Sequence, residues 1–428
     1  MSGLRWTTAG ESHGPALVGI LEGLPAGLEL DPERIDAELA RRQGGHGRGG
    51  RMRIERDRVR VLAGLRAGRT LGSPLALLLE NKDATIEDLP VPPSPRPGHA
   101  DLAGCQRLGE PDPRAVLERA SARETAMRTA LGAAARQVLE ALGGRVLGHV
   151  VAVGGLEAAD PTGLGERLRT AGTGAMDAAA DRRAESAFAG LDPAMEDPWR
   201  GAVDAAKASG DTLGGVAEVV AAGLPPGLGG FADPRQRLTS RLAGALASIP
   251  AVKGVEVGLG FGAAALPGSA FHDRIVPADG AIGTGDGGVA GDDGDGGPDA
   301  SGGAPPGVSG AGDAPGPIGA FGAFARSSNR AGGLEGGMTT GAPLVLRVAM
   351  KPISTLRQGL ETVAFGSGEP VTSTWQRSDV TSVPALSVVA ENLVALELTA
   401  ALLEAFGGAT MDLTRANLAT WADRARGL

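Results

Sequence analysis

Two short stretches, the mixed Leu4 to Thr8 and the nearly all-apolar Ala16 to Leu24, open the chain, and each predicts a β-strand. A turn, Leu24-Pro25-Ala26-Gly27-Leu28, then leads to Asp31-Pro32, which opens a helix with an aspartate cap and a proline in first position. That helix continues through Leu39 to about Arg42. The same grammar returns with a strand at Val216 to Leu224, a turn at Leu224-Pro225-Pro226-Gly227-Leu228, and Asp233-Pro234 opening a helix toward Ile249. The recurrence predicts two similar strand–turn–helix halves. Coincidental turn chemistry is the competing explanation, since proline and glycine mark turns everywhere.

Further strands are expected near Arg145 to Val153, Lys253 to Leu259, Ala263 to Leu266 and Leu344 to Met350, and a half-exposed one at Met52 to Leu62. A helix should start at Arg119 (R-A-S-A-R-E-T-A-M-R) and stop at Gly143-Gly144, and another should run from Ala385 to Phe406. Arg119 and Arg123, four apart, would share a face of the first of these and oppose its dipole, which suggests an anion arriving from elsewhere. A plain surface helix with a Glu124–Arg128 pair is the alternative. Glu157 to Trp199 is a variable-looking region. Ile282 to Ile318 is nearly all Gly, Asp, Pro, Ala and Ser, too poor in apolar residues to pack, and predicts a flexible acidic insertion in one domain spanning 1–428. Its D-D-G-D-G-G lacks the ligand spacing and terminal glutamate of a calcium loop.

Composition sharpens this picture. The net charge of −9 argues against bulk attraction to nucleic acid or an anionic membrane. Yet ten arginines and only two acids, Glu55 and Asp57, lie between Arg41 and Arg69, partly in a glycine-rich loop. Glycine allows close backbone approach, and arginine forks match carboxylate or phosphate oxygens. An RNA-binding module on that stretch lacks aromatic stacking residues. The single cysteine, Cys105, excludes an internal disulfide and fits a cytoplasmic protein. No apolar leader is present and no window approaches a membrane span. Seventy glycines and no tyrosine leave a core of Leu, Val, Ile and Ala.

Among the five histidines, His13 and His99 stand in glycine-containing loops beside charged residues and suit proton transfer. His149 lies in an apolar strand and reads as structural, and His272 carries no assigned role. Gly10-Glu11-Ser12-His13-Gly14 matches a nucleophile elbow in letters, but a strand pattern follows where a hydrolase has a helix. No metal motif, Walker loop or Rossmann fingerprint is evident.

With G-E-S-H-G at 10–14, R-P-G-H-A-D at 96–101, R-A-S-A-R-E-T-A-M-R at 119–128 and R-S-D-V-T-S-V-P at 377–384, the chain resembles the chorismate synthase family. A-V-K-G-V-E at 251–256, A-G-G-L-E-G-G at 331–337 and K-P-I-S-T at 351–355 extend the resemblance over nearly the whole length. It implies an α/β (α+β) fold, a β-α-β sandwich of two similar halves assembled as a homotetramer. It also implies a carbon–oxygen lyase of the shikimate pathway, which eliminates phosphate and a C6 hydrogen from 5-enolpyruvylshikimate 3-phosphate. The implied cofactor is reduced FMN, supplied by a separate NAD(P)H-using flavin reductase, with NADPH at most a weak ligand here.

By motif position, Ser12, His13, Arg42, Arg48, Ser121, Arg123 and Arg377 correspond to substrate contacts. His13 is the implied acid for the departing phosphate, and His99 the residue holding a proton near the flavin pyrimidine end. Asp379 is the implied carboxylate acting at the C6 hydrogen. Arg42, Arg48, Arg119, Ala120, Ser121, Pro250, Ala251, Gly336, Lys351, Pro352, Ile353, Ser354, Thr355 and Arg377 correspond to FMN contacts. Three departures stand out. Pro250 replaces a frequent Asn, Arg330 replaces a frequent His or Asn, and Val116-Leu117-Glu118 precedes Arg119 where a Gly pair is usual, which predicts an N-terminally extended helix. A non-enzymatic member would be expected to lack His13, His99 or Asp379, and all three are present.

Overall fold

The computed structural model describes residues 3–49, 56–160, 162–279, 318–373 and 379–428. Arg377 and positions 282–317 of the acidic insertion lie outside the described residues.

The first half lays down Arg5–Ala9 (β1), Ala16–Glu22 (β2), the helix Pro32–Gln43 (α1), Arg60–Ala63 (β3) and Leu75–Glu80 (β4). These strands form an antiparallel sheet of order β1-β2-β4-β3. After Asp101–Leu108 (α2), the half closes with the helix Thr125–Ala141 (α3). Alternation puts Leu17 and Leu21 of β2 and Leu75, Leu77 and Leu79 of β4 on one buried face, where α3 packs. Asp31 caps α1 as its sequence predicts, accepting from the Glu33 amide at 2.9 Å.

The second half follows the same plan. Arg145–Val153 (β5), Gly215–Ala222 (β6), the helix Leu238–Ala247 (α4), Val252–Val257 (β7), Leu344–Met350 (β8) and the helix Val383–Phe406 (α5) correspond in order to the first set. The second sheet runs β7-β8-β6-β5, with the two-residue strand Leu156–Glu157 at its edge. Read from β5, this is the order of the first sheet. The repeated turns are pinned alike. Thr70 Oγ1 donates to Pro25 O and accepts from Leu28 N, and Thr339 Oγ1 donates to Pro225 O and accepts from Leu228 N. Each threonine sits on a tight hairpin whose two central residues have positive φ, Ala67-Gly68 and Gly336-Gly337.

One part of the repeat fails. Asp233-Pro234 opens no helix: Asp233 caps a local turn through Arg235 N, Leu238 N donates to Gly337 O, and α4 begins only at Leu238. The strand expected at Ala263 to Leu266 is instead a 3₁₀ turn, Gly260–Ala265. There Gly258 and Gly260 turn the chain out of the sheet at positive φ. The described residues between Glu157 and Trp199 include the helices Leu164–Ala171 and Met176–Glu185, and Trp199 is fully buried in the next helix, Glu196–Ser209.

Helices α3 and α5 pack on each other, α3 also on the first sheet and α5 on the second. A Cβ on Gly132 of α3 would stand 2.3 Å from Asn392 O of α5, so only glycine permits this crossing. The 24-residue α5 is long and apolar enough to span a membrane, against the expectation that no window is. However, 89% of its apolar window is buried inside the protein, so it serves as the central core helix, apolar on all sides because every side is covered.

Candidate active site

A cavity of about 1160 Å³ opens between the halves. Its walls come from the β1–β2 loop, the end of α1, residues 83–100 and 119–128 on one side, and 248–253, 350–355 and 379–389 on the other.

The β1–β2 loop carries Ser12 and His13 and leads straight into β2, so the nucleophile-elbow context is absent. Asn81, just past β4, holds this loop by donating to the carbonyls of Glu11 (3.1 Å) and Gly14 (2.7 Å). The Asn81 Oδ1 accepts from Arg123 Nε at 2.9 Å, and Arg123 Nη1 pairs with Asp57 at 2.7 Å. One amide thus aligns the histidine loop and a buried arginine. Replacing Asn81 by alanine should raise KM about tenfold with a smaller change in kcat, since it frees the loop and leaves buried donors and acceptors unpaired, a loss of about 1–3 kcal/mol. Steady-state kinetics at fixed pH would check it.

The stretch around Arg119 departs from expectation. A short helix, Arg114–Leu117, ends in a turn, and the extended Ser121 (φ −66°, ψ 145°) caps a new start by accepting from Arg123 N at 3.3 Å. The predicted continuous helix, and its N-terminal extension through Leu117, are therefore broken at Ser121. Arg119 and Arg123 do not share a helix face. Arg119 is exposed and donates to the Thr8 and Gly10 carbonyls, whereas the Arg123 side chain is 2% exposed. Arg128 pairs with Glu124 and donates to Ser248, so it ties the halves together at the cavity rim.

Arg42, at the end of α1, is buried and donates to Thr125 Oγ1 and Ala122 O. Burial, with Arg48 and Arg123 adding like charge, pushes its guanidinium down to about 9. Arg42 Nη1 and Arg123 Nη2 are both buried without a hydrogen-bond partner. Three cations gathered here, Arg42 and Arg123 each with one buried donor unspent, are suited to receiving an anion.

Asp379 faces Arg48 at 2.5 Å and also accepts from Gly49 N (2.6 Å) and Ser382 Oγ (2.7 Å). The region Glu157–Trp199 and the helix after it support this arginine loop from behind. His46 N donates to Ala187 O, the His46 ring packs on Phe188, and its Nε2 lies 2.9 Å from Asp204.

His13 Nδ1 stands 2.7 Å from the buried carboxylate of Glu118, and its Nε2 3.8 Å from Asp83. His99 Nδ1 contacts Asp101 at 2.5 Å, beside Arg96. Although burial opposes it, hydrogen bonds from His99 and Arg96 hold the Asp101 carboxyl well below the usual range. Across the cavity, burial and the neighbouring Lys253 lower the Lys351 ammonium. Beside them Ala251 adopts φ +74°, a strained conformation for a residue with a side chain, and its carbonyl accepts from Lys351 N.

Ser12, His13, Arg42, Arg48, His99, Arg119, Ala120, Ser121, Arg123, Pro250, Ala251, Lys351, Ile353, Ser354, Thr355 and Asp379 all line this one cavity. Pro352 and Gly336 do not. Gly336 sits at the tip of the hairpin under the second repeated turn, where its positive φ accounts for the glycine. Sequence reasoning missed Asp57, Asn81, Arg96, Asp101, Glu118 and Lys253 as site components. Arg96, Asp101 and Lys253 fall within quoted motifs, but Asn81 and Glu118 meet their partners 42 and 105 residues away, with no local signal.

The family profile described as chorismate synthase matches residues 4–403. The chorismate synthase of Trichlorobacter lovleyi is 46% identical over 426 residues, covering 97% of each chain. That of Desulforudis audaxviator is 45% identical over 435 residues, covering 99% of this chain and 98% of the other. A crystal structure of a chorismate synthase, 33% identical, aligns over 100% of this chain and 99% of its own with a TM-score of 0.74.

Proposed function

The chain belongs to the chorismate synthase family, whose members are lyases forming chorismate in the shikimate pathway, and from that premise we propose that the inter-half cavity is where this reaction occurs. The observation that carries the assignment is the pair of buried, unspent guanidinium nitrogens on Arg42 and Arg123. A substrate with one phosphate and two carboxylates supplies acceptors for these cations and offsets the burial and like charge that depress Arg42.

The residues present also fit reduced FMN. Lys253 and Lys351 offer adjacent cations for a phosphate, with Ser354 and Thr355 alongside, and Ile249, Pro250, Val252, Met350 and Leu386 give apolar walls for a ring system. Reduced FMN held by these residues would supply transient electron density for the breaking of the C–O bond. Arg42, Arg48 and Arg123 bind and orient the substrate. His13 protonates the departing phosphate, and Asp379, aligned by Arg48, Gly49 and Ser382, acts where the C6 hydrogen leaves. His99, oriented by Asp101, keeps a proton at the flavin side. In total the substrate loses phosphate and the C6 proton, so the reaction is redox-neutral overall.

The two like-ordered sheets, with helices of both halves between them, support the reading of a β-α-β sandwich. We assign the enzyme to the cytoplasm as a homotetramer fed by a separate flavin reductase. Light scattering should then give four times the 42.8-kDa chain mass. Anaerobic incubation of the folded protein with 5-enolpyruvylshikimate 3-phosphate and dithionite-reduced FMN is expected to yield chorismate. Its absence from folded protein would overturn the assignment.

A further inference from the structure

Glu118 belongs to none of the roles above, and it does not line the cavity. It sits in the turn before Ser121 with its side chain 1% exposed. One carboxylate oxygen, Oε2, meets His13 twice, at Nδ1 (2.7 Å) and at the backbone N–H (3.2 Å). The other, Oε1, accepts from Arg114 Nη1 at 2.7 Å. Its own carbonyl accepts from Ser12 N at 3.0 Å. Burial alone would favour the neutral acid, but the hydrogen bonds from His13 and Arg114 outweigh it and hold the carboxyl below its ordinary range. Glu118 is therefore an anion at neutral pH, fixed on both oxygens.

From this geometry we propose that Glu118 is a positioning residue for His13, holding a proton on Nδ1 so that Nε2 is presented as the acid. The proposal rests on the assignment of His13 as the proton donor. A carboxylate on Nδ1 selects the tautomer and favours the imidazolium, as in other histidine–carboxylate pairs. Among the described residues, charged groups near the ring include Asp83 on the Nε2 side, Arg114 behind Glu118, and Glu11 in the same loop. Asp83 also carries negative charge, but at 3.8 Å it makes no hydrogen bond to Nε2.

The test is the pH profile of Glu118→Gln. Glutamine keeps the size and one acceptor oxygen but removes the charge. The alkaline limb of kcat, where the acid is lost, should move to lower pH by about one unit, leaving the variant about tenfold slower above the limb. KM should stay within about twofold, because Glu118 does not reach the cavity. A purely structural role predicts lower thermal stability and higher KM with the limb unmoved, and that result would overturn the proposal. So would a shift of the limb in Asp83→Asn but not in Glu118→Gln. A readout independent of turnover is the downfield Nδ1–H proton resonance of His13 in ¹⁵N-histidine-labelled, ligand-free protein, identified by its loss in His13→Gln. It should be present in the native chain and weakened in Glu118→Gln. If wild type makes no chorismate while this resonance is present, the assignment of the reaction fails and the dyad stands. If wild type turns over and the resonance is absent, the dyad fails alone.

Discussion

Replacing Asp379 by asparagine should lower kcat at least a hundredfold, within the range of about 10²–10⁴ typical of a positioned acid or base. Asparagine keeps one acceptor oxygen, for Gly49 N, while its NH2 replaces the oxygen that accepts from Ser382 Oγ and pairs with Arg48, so the side-chain size survives while the charge opposite Arg48 is lost. Alanine is the harsher probe, because it also leaves the Gly49 amide without this acceptor. His13→Ala should show a loss of the same order, since it removes the proton for the leaving phosphate. Anaerobic single-turnover rates with saturating reduced FMN separate chemistry from binding, and circular dichroism establishes that the fold persists. Near-wild-type rates in both variants would mean that the site is right and the roles are misassigned.

The elements most legible in the sequence are those whose signals are local. Asp31-Pro32 capped α1 as read, and the apolar run behind Pro384 became α5 within two residues of the expected start. The twin G-L-P-x-G-L turns marked a real duplication, because each needs the same threonine-pinned geometry. Where a local signal competed with a distant partner, the partner prevailed. Asp233-Pro234 looks like a helix start, but Leu238 N is taken by Gly337 O. The Arg119 stretch is rich in helix formers, yet Ser121 interrupts it because its hydroxyl caps Arg123 N and its extended backbone turns Arg119 toward β1. The cavity residues were legible as motif letters. The groups that aim them, Asn81, Asp57 and Glu118, were not, since an isolated Asn, Asp or Glu carries no periodicity and its role exists only after the halves fold together.

Glu391→Ala should cost the fold about 3–5 kcal/mol, the loss expected when one partner of a buried ionic cluster is removed. Glu391 is one of three glutamates in the otherwise uncharged α5, and its side chain is 0% exposed. It pairs with Arg41 of α1 (2.9 Å), Arg136 of α3 (2.5 Å) and Arg183 (2.8 Å), and accepts from Gly148 N of β5 at 3.0 Å. Against the burial penalty, Arg183, Arg41 and Arg136 hold its carboxyl far below the ordinary range. Deleting the carboxylate leaves three partly buried guanidinium groups to repel one another where the two halves meet. Glu38 neutralises some of that charge, which favours the lower end of the range. Glu218, with Arg169, Arg347 and His149, is a second carboxylate held down in the same way. Because both folded values lie below that of an unfolded glutamate, about 4.3, their stabilisation is fully present above about pH 5 and is lost as pH falls below it. Urea midpoints measured from pH 7 to pH 3 should therefore drop steeply on the acid side for the native chain. They should drop less for Glu391→Ala, which has already lost part of what acid removes. Equal acid sensitivity in the two chains would show that the cluster contributes no linkage and that its role is packing alone.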